Sequence, residues 1–207
     1  PDLVLKKYNP NGMLVGEAPC TKDLIEITDH DFKVVSAVSI LAVFFIILFV
    51  FKSISLPVIL VLVIEGAIFI NMGIPYLTGT ELPFIASIVI GTIQLGATVD
   101  YAILMTSRYE KERGSGKSKG EAIRIAHQTS IRPVMVSAFS FFAATFGVGV
   151  YSKIDMISSL CLLMARGALI SMCAVLLFLP AMYWLFDGLI CKTSKNFKQK
   201  KQEVKSL

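Results

Sequence analysis

Three residues lie in stretches too apolar to suit them: Glu65 in IleGlyAla-type surroundings, Asp100 after a run from Pro83, and Arg166 between Ala165 and Gly167. An ionisable side chain at the centre of a bilayer costs at least ~2.5 kcal/mol and survives there only when paired, protonated or facing a cavity. Two carboxyls and one guanidinium point to proton carriage with an electrostatic partner. Counted along their segments, Glu65 lies eight residues from Pro57 and Asp100 seven from Ser107, so at ~1.5 Å per residue both sit about 10–12 Å from the same surface. At that shared depth the two carboxyls could form one site, where desolvation and mutual repulsion would keep a proton on at least one of them near neutral pH. Arg166 enters from the opposite side, and its chain could reach a carboxyl or snorkel outward.

The neighbours of Asp100 sharpen the expectation. Gly91 and Gly96 are small residues of the kind that let membrane helices pack closely, and Gly96 stands one turn before the carboxyl on its own face. Tyr101 is about 100° further round the helix and so serves a different partner from Asp100. Gly147 and Gly149 read as marks of close helix contact. Arg132-Pro133 reads as a boundary arginine followed by a first-turn proline, with Ser137 one turn in. His127 reads as solvated.

The elements that must hold these groups follow from composition. Of 207 residues, 55% are hydrophobic, more than a soluble core of that size absorbs. They gather in runs of about 20, the length a helix needs to cross hydrocarbon. Five spans are predicted, over residues 32–51, 57–76, 83–107, 133–150 and 157–186, with Pro180 kinking or ending the last. Residues 108–132 are charged and helix-forming, a segment expected to lie along the membrane surface. Residues 1–30, with the turn Asn9-Pro10-Asn11-Gly12 and a helix start at Thr21, read as the end of an α+β domain outside the membrane. The first apolar run begins only after Phe32, so the start reads as the middle of a longer protein.

The net charge of +5 is distributed unevenly. Lys52, then Arg108, Lys111, Arg113, Lys117, Lys119, Arg124 and Arg132, then the tail over 191–207 fall on one side; between spans the other side has Lys153. By the positive-inside rule the basic side and the C-terminus are cytoplasmic, and the charge is an orientation signal, with no nucleic acid implied. The four cysteines lack metal-ligand or disulfide spacing. No nucleophile elbow or phosphate-binding loop is present, so neither an enzyme nor a cofactor is expected.

Gly91-Thr92-Ile93-Gln94-Leu95-Gly96-Ala97-Thr98-Val99-Asp100-Tyr101-Ala102-Ile103-Leu104, followed by Ser107-Arg108-Tyr109, resembles the fourth helix of a repeat of the RND exporter superfamily, in its MMPL branch. Arg132-Pro133, Ser137, Arg166-Gly167-Ala168 and Leu179-Pro180-Ala181 are similar to the same branch, in the wording of Gram-positive bacteria, and the resemblance covers about residues 30–190. It implies an all-α transmembrane half of five helices from a six-helix repeat, preceded by the tail of a porter domain. It further implies proton-driven export of hydrophobic molecules, lipids or drugs across the bacterial cell membrane, with Asp100 and Tyr101 as the proton relay. Its partners would be protons, membrane lipids, the exported substrate, and a second repeat or second copy completing the path. Glu65 has no role in that resemblance. A protein-translocation factor like the SecD/SecF pair, or a sterol-sensing regulatory module that couples no protons, shares the architecture and stands as the alternative.

Overall fold

The computed structural model describes residues 17–79 and 84–193. Apolar residues in long runs leave the backbone no solvent partner in a bilayer, so each run closes its hydrogen bonds internally as a helix. In order these are α1 (Glu17–Phe51), α2 (Ser55–Thr78), α3 (Phe84–Gly114), α4 (Lys119–Tyr151), α5 (Asp155–Cys173), a π-helical turn (Ala174–Phe178) and α6 (Leu179–Thr193). The described residues are all-α, as expected. His30–Phe51, Ser55–Thr78, Lys119–Tyr151 and Asp155–Thr193 are each long and apolar enough to cross a membrane. The remaining helix, α3, is 31 residues long and packs against α1, α2, α4 and α5.

Several local readings change. The first helix begins at Glu17, ahead of Thr21, and runs unbroken into the apolar segment; residues 1–16 of the expected porter-domain tail, and the basic tail past Thr193, lie outside the described residues. The stretch 108–132 forms no separate helix. It is divided between the end of α3 and the first turns of α4, which meet in a tight turn where Gly116 takes φ +85° and its N–H donates to the Arg113 carbonyl at 3.1 Å. A positive φ of that kind favours glycine. Ser118 then caps α4, accepting from the Glu121 N–H at 3.4 Å, as a hydroxyl at that position does.

Pro133, expected to open a span, and Pro180, expected to kink or end one, both sit inside helices. Pro133 lies within α4, fourteen residues past its start. Pro180 follows the π-helical turn, and the helix continues to Thr193. Proline removes one backbone donor and crowds the preceding turn; a π turn before it absorbs the misfit without breaking the helix.

The core forms where α2, α3, α4 and α6 meet: Leu56, Leu60 and Ile64, then Ala102, Met105 and Tyr109, then Ala122, Ala126 and Ala138, then Leu179 and Tyr183 are all buried. α1 contributes Ile47 and Phe51 near its end, while Val38, Leu41, Phe45 and Phe49 face outward. Exposed apolar surface of this extent suits lipid as solvent.

Candidate functional site

Asp100 lies on the outside of the bundle, exposed, and Tyr101 is buried. Successive residues on one helix point about 100° apart, so the two cannot share a face. Tyr101 borders a narrow crevice with Phe141 of α4 and Met164 and Ala168 of α5. Arg132 and Ser137 are exposed on α4. Gly96 is exposed, and a Cβ built there or at Gly91 would meet nothing within 4 Å. Neither glycine therefore serves helix contact inside this chain, contrary to expectation.

Close approach falls elsewhere. At Gly149 a Cβ would come within 2.9 Å of Leu162 across the α4–α5 hairpin, while at Gly147 it would meet open space. At Gly167 it would fall 2.6 Å from Asn71 Nδ2 and 2.7 Å from Gln94 Oε1. The fold thus needs a hydrogen atom at Gly167 because two polar side chains occupy the space beside it.

Those side chains belong to a network that the sequence reading missed. Asn71 Nδ2 of α2 donates to Gln94 Oε1 of α3 at 2.8 Å and to the Leu163 carbonyl of α5 at 3.2 Å. Gln94 Nε2 donates to Ser171 Oγ at 2.9 Å and to the Gly167 carbonyl at 3.4 Å. Arg166 completes it, with Nε donating to Asn71 Oδ1 at 3.0 Å and Nη2 to the Asn71 carbonyl at 2.9 Å. Asn71, Gln94 and Ser171 are buried. Interhelical hydrogen bonds of this sort hold membrane helices that have no hydrophobic force between them. The signal was present: Asn71, Gln94 and Ser171 are polar residues inside apolar runs, but counting only ionisable groups passes over them. Arg166 consequently reaches neither carboxyl among its described contacts.

Glu65 is half-buried on α2 and lines a cavity of about 340 Å³ between α1, α2 and α3. Asp100 is not part of that lining. The two carboxyls, expected from their similar counts along the helices to form one site, therefore do not share this cavity. His127, read as solvated, is half-buried, with Nε2 3.1 Å from the Leu176 carbonyl.

One family model, that of the MMPL family, matches residues 12–203. This chain belongs to the MMPL family. Its curated relatives include the siderophore exporter MmpL5 of Mycobacterium tuberculosis (strain CDC 1551 / Oshkosh), 24% identical over 172 residues that make up 81% of this chain and 18% of the relative. The putative membrane protein SCO0839 of Streptomyces coelicolor (strain ATCC BAA-471 / A3(2) / M145) is 28% identical over 81% of this chain and 24% of its own length. The putative membrane protein YdgH of Bacillus subtilis (strain 168) is 24% identical over 66% and 16%. The chain thus spans between about a sixth and a quarter of these relatives, which marks it as similar to a portion of each.

This MMPL chain also carries a cluster joining the ends of α3 and α6. Asp187 receives Tyr109 Oη, Arg113 Nε at 3.0 Å and Arg113 Nη2 at 2.9 Å, while Arg113 Nη1 donates to the Lys117 carbonyl at 3.0 Å. The rings of Tyr109 and Tyr183 stack at 4.5 Å, and the Tyr183 and Thr106 hydroxyls lie 2.6 Å apart. Lys119 sits 4.4 Å over the Trp184 ring, and the Lys117 ammonium beside Glu112 holds that carboxyl below its ordinary range. A two-pronged guanidinium–carboxylate pair is geometrically demanding. In a cycle of Arg113→Ala, Asp187→Ala and the double variant, a coupling of about 1–2 kcal/mol is expected, read from reversible unfolding in detergent; additivity would show the pair contributes nothing.

Proposed function

We propose that this chain is the membrane part of one repeat of an exporter driven by the proton gradient, with Asp100 taking the proton and the exposed sides of α3 and α4 meeting a second repeat or a second copy. The observation that supports this most directly is the position of Asp100. An exposed carboxyl on a helix inside a membrane bundle, beside a glycine with open space around it, costs at least ~2.5 kcal/mol against lipid. A covering surface removes that cost. The α4 residues Ser137, Ser140, Ala143, Ala144 and Gly147 are likewise exposed, a polar and small-residue composition suited to close helix packing. Membership of the MMPL family and similarity to a relative named as an exporter support the same reading. Tyr101, buried within this bundle, acts in it by shaping the α3–α4–α5 contact.

The exported molecules are hydrophobic or amphiphilic, and the membrane is the bacterial cell membrane. The α3–α4 turn and the C-terminus face the cytoplasm, because Arg108, Lys111, Arg113, Lys117, Lys119 and Arg124 gather around that turn. One proton moving inward releases ~2.3 kcal/mol per 100 mV of potential, to which the pH difference adds. In cells expressing the full-length protein, collapsing the gradient with a protonophore is expected to lower efflux of a fluorescent lipophilic substrate at least ~10-fold while ATP is held constant, because the whole proton term is removed. Efflux that survives the collapse would exclude proton coupling.

A further inference from the structure

The cavity beside Glu65 is not used by the mechanism above. It is bounded by Phe32 and Ile40 of α1, Phe69 and Met72 of α2, and Leu95 of α3, and Glu65 is the one ionisable residue among the described residues of its lining. Its volume of about 340 Å³ lies at the lower end of the range for small-ligand sites. Among its described neighbours Glu65 has no hydrogen-bond or ion-pair partner, whereas Asp187, Glu112 and Arg166 all have one. Ser36 and Ser39 of α1 and Thr92 of α3 belong to the same lining.

Position along the helices gives the cavity a direction. Glu65 is ten residues from the start of α2 and Ile40 eleven from the end of α1, so both lie nearer the α1–α2 turn. Phe32, Met72 and Gly91 lie further from it. One acidic group therefore stands toward one end of a cavity whose walls are otherwise mostly apolar.

We propose that this cavity is a binding site for a monovalent cationic amphiphile, an alkylammonium head with a short apolar body, whose charge is paired by Glu65. The chemistry is complementary on each count. A carboxylate in apolar surroundings gains most from a cation brought to it. The three N–H donors of an ammonium can be shared between the carboxylate and the hydroxyls of Ser36, Ser39 or Thr92. The apolar body is covered by Phe32, Phe69 and Met72. An anionic ligand is repelled, and an uncharged one of equal shape leaves the carboxylate unpaired. The inference concerns binding alone and stands whether or not the occupant is exported.

The test uses the full-length protein in nanodiscs of zwitterionic phospholipid and two photoprobes, a ten-carbon alkylamine with a terminal diazirine and the matching alcohol. Labelled peptides are quantified by mass spectrometry, each signal divided by that of α6 to remove differences in bilayer partitioning. Labelling of cavity peptides by the amine is expected to exceed that by the alcohol about fivefold, a ratio that Glu65→Asp retains and Glu65→Gln returns to one. Gly91→Leu, which places a side chain where nothing lies within 4 Å, is expected to lower both signals. Equal labelling by the two probes in the wild type would mean an acyl-chain groove and overturn the proposal. An amine preference that persists in Glu65→Gln, or labelling indifferent to Gly91→Leu, would overturn it too.

Discussion

Cells carrying Asp100→Asn are expected to lose gradient-driven efflux by at least ~10-fold, with the protein still present in the membrane at wild-type abundance or above. Asparagine keeps the size and the carbonyl oxygen of aspartate but cannot alternate between a charged and a neutral form, and that alternation is what moves a proton. The exposed position of Asp100 makes the variant informative. Nothing in this bundle is built around the carboxyl, so its loss breaks no internal contact, and removing a charge from a membrane-facing helix recovers a penalty of ~2.5 kcal/mol or more where it was unpaired. Activity and stability should therefore move in opposite directions. Efflux and proton flux measured in the same vesicles check this. Unchanged efflux in the variant would remove Asp100 from the coupling step and favour a module that moves no protons.

The largest effect on stability is expected at Gly167. Any side chain there begins 2.6 Å from Asn71 Nδ2 and 2.7 Å from Gln94 Oε1, so Gly167→Leu must push both away. Overpacking a filled site costs typically 1–3 kcal/mol, and each buried polar group deprived of its partner adds about 1–3 kcal/mol. A loss of about 3–5 kcal/mol follows, measurable as a fall in the thermal unfolding midpoint in detergent and in membrane abundance. Gly96→Leu provides the contrast. With no atom within 4 Å of its Cβ, the bundle itself should tolerate it, while a second repeat packed on that face would not. A stable Gly96→Leu protein that has lost efflux would indicate such packing; equal destabilisation at both glycines would show that the Asn71–Gln94 network is not what makes Gly167 sensitive.

The network also explains where Arg166 found its partner. A cation inside a membrane protein need not meet a carboxylate: the Asn71 side-chain oxygen and backbone carbonyl give two oriented acceptors at 3.0 and 2.9 Å. The Asn71 amide in turn fixes Gln94, whose own amide reaches Ser171. Three helices are thereby tied through one chain of amide and hydroxyl dipoles that ends on the guanidinium. Asp100 is thus left without a cation from Arg166 in this chain, a further reason to look to the second repeat for its partner.

Much of the architecture could be read along the chain because it depends on local quantities. An apolar run of about 20 residues has one solution in hydrocarbon, a helix, and Lys or Arg between runs orders their sides. Boundaries were less legible. Pro133 looks like a helix start in sequence and Pro180 like a kink or an end, yet α4 and the α5–α6 rod pass through them, since packing and a π turn make up for the missing donors. Gly96 looked like a contact glycine from its spacing to Asp100, whereas the glycine that the fold requires, Gly167, is identified only by what stands opposite it.

The same distinction separates the candidate sites. Sequence predicts similar heights for Glu65 and Asp100, because rise per residue is fixed by the helix itself. It could not determine the direction each faces relative to its neighbours, which depends on how the helices pack. Tertiary structure alone put Glu65 on a cavity beside α1, Asp100 on the outer surface, Tyr101 inside, and Arg166 on Asn71. Height along a helix is a property of one segment; its azimuth is a property of the bundle.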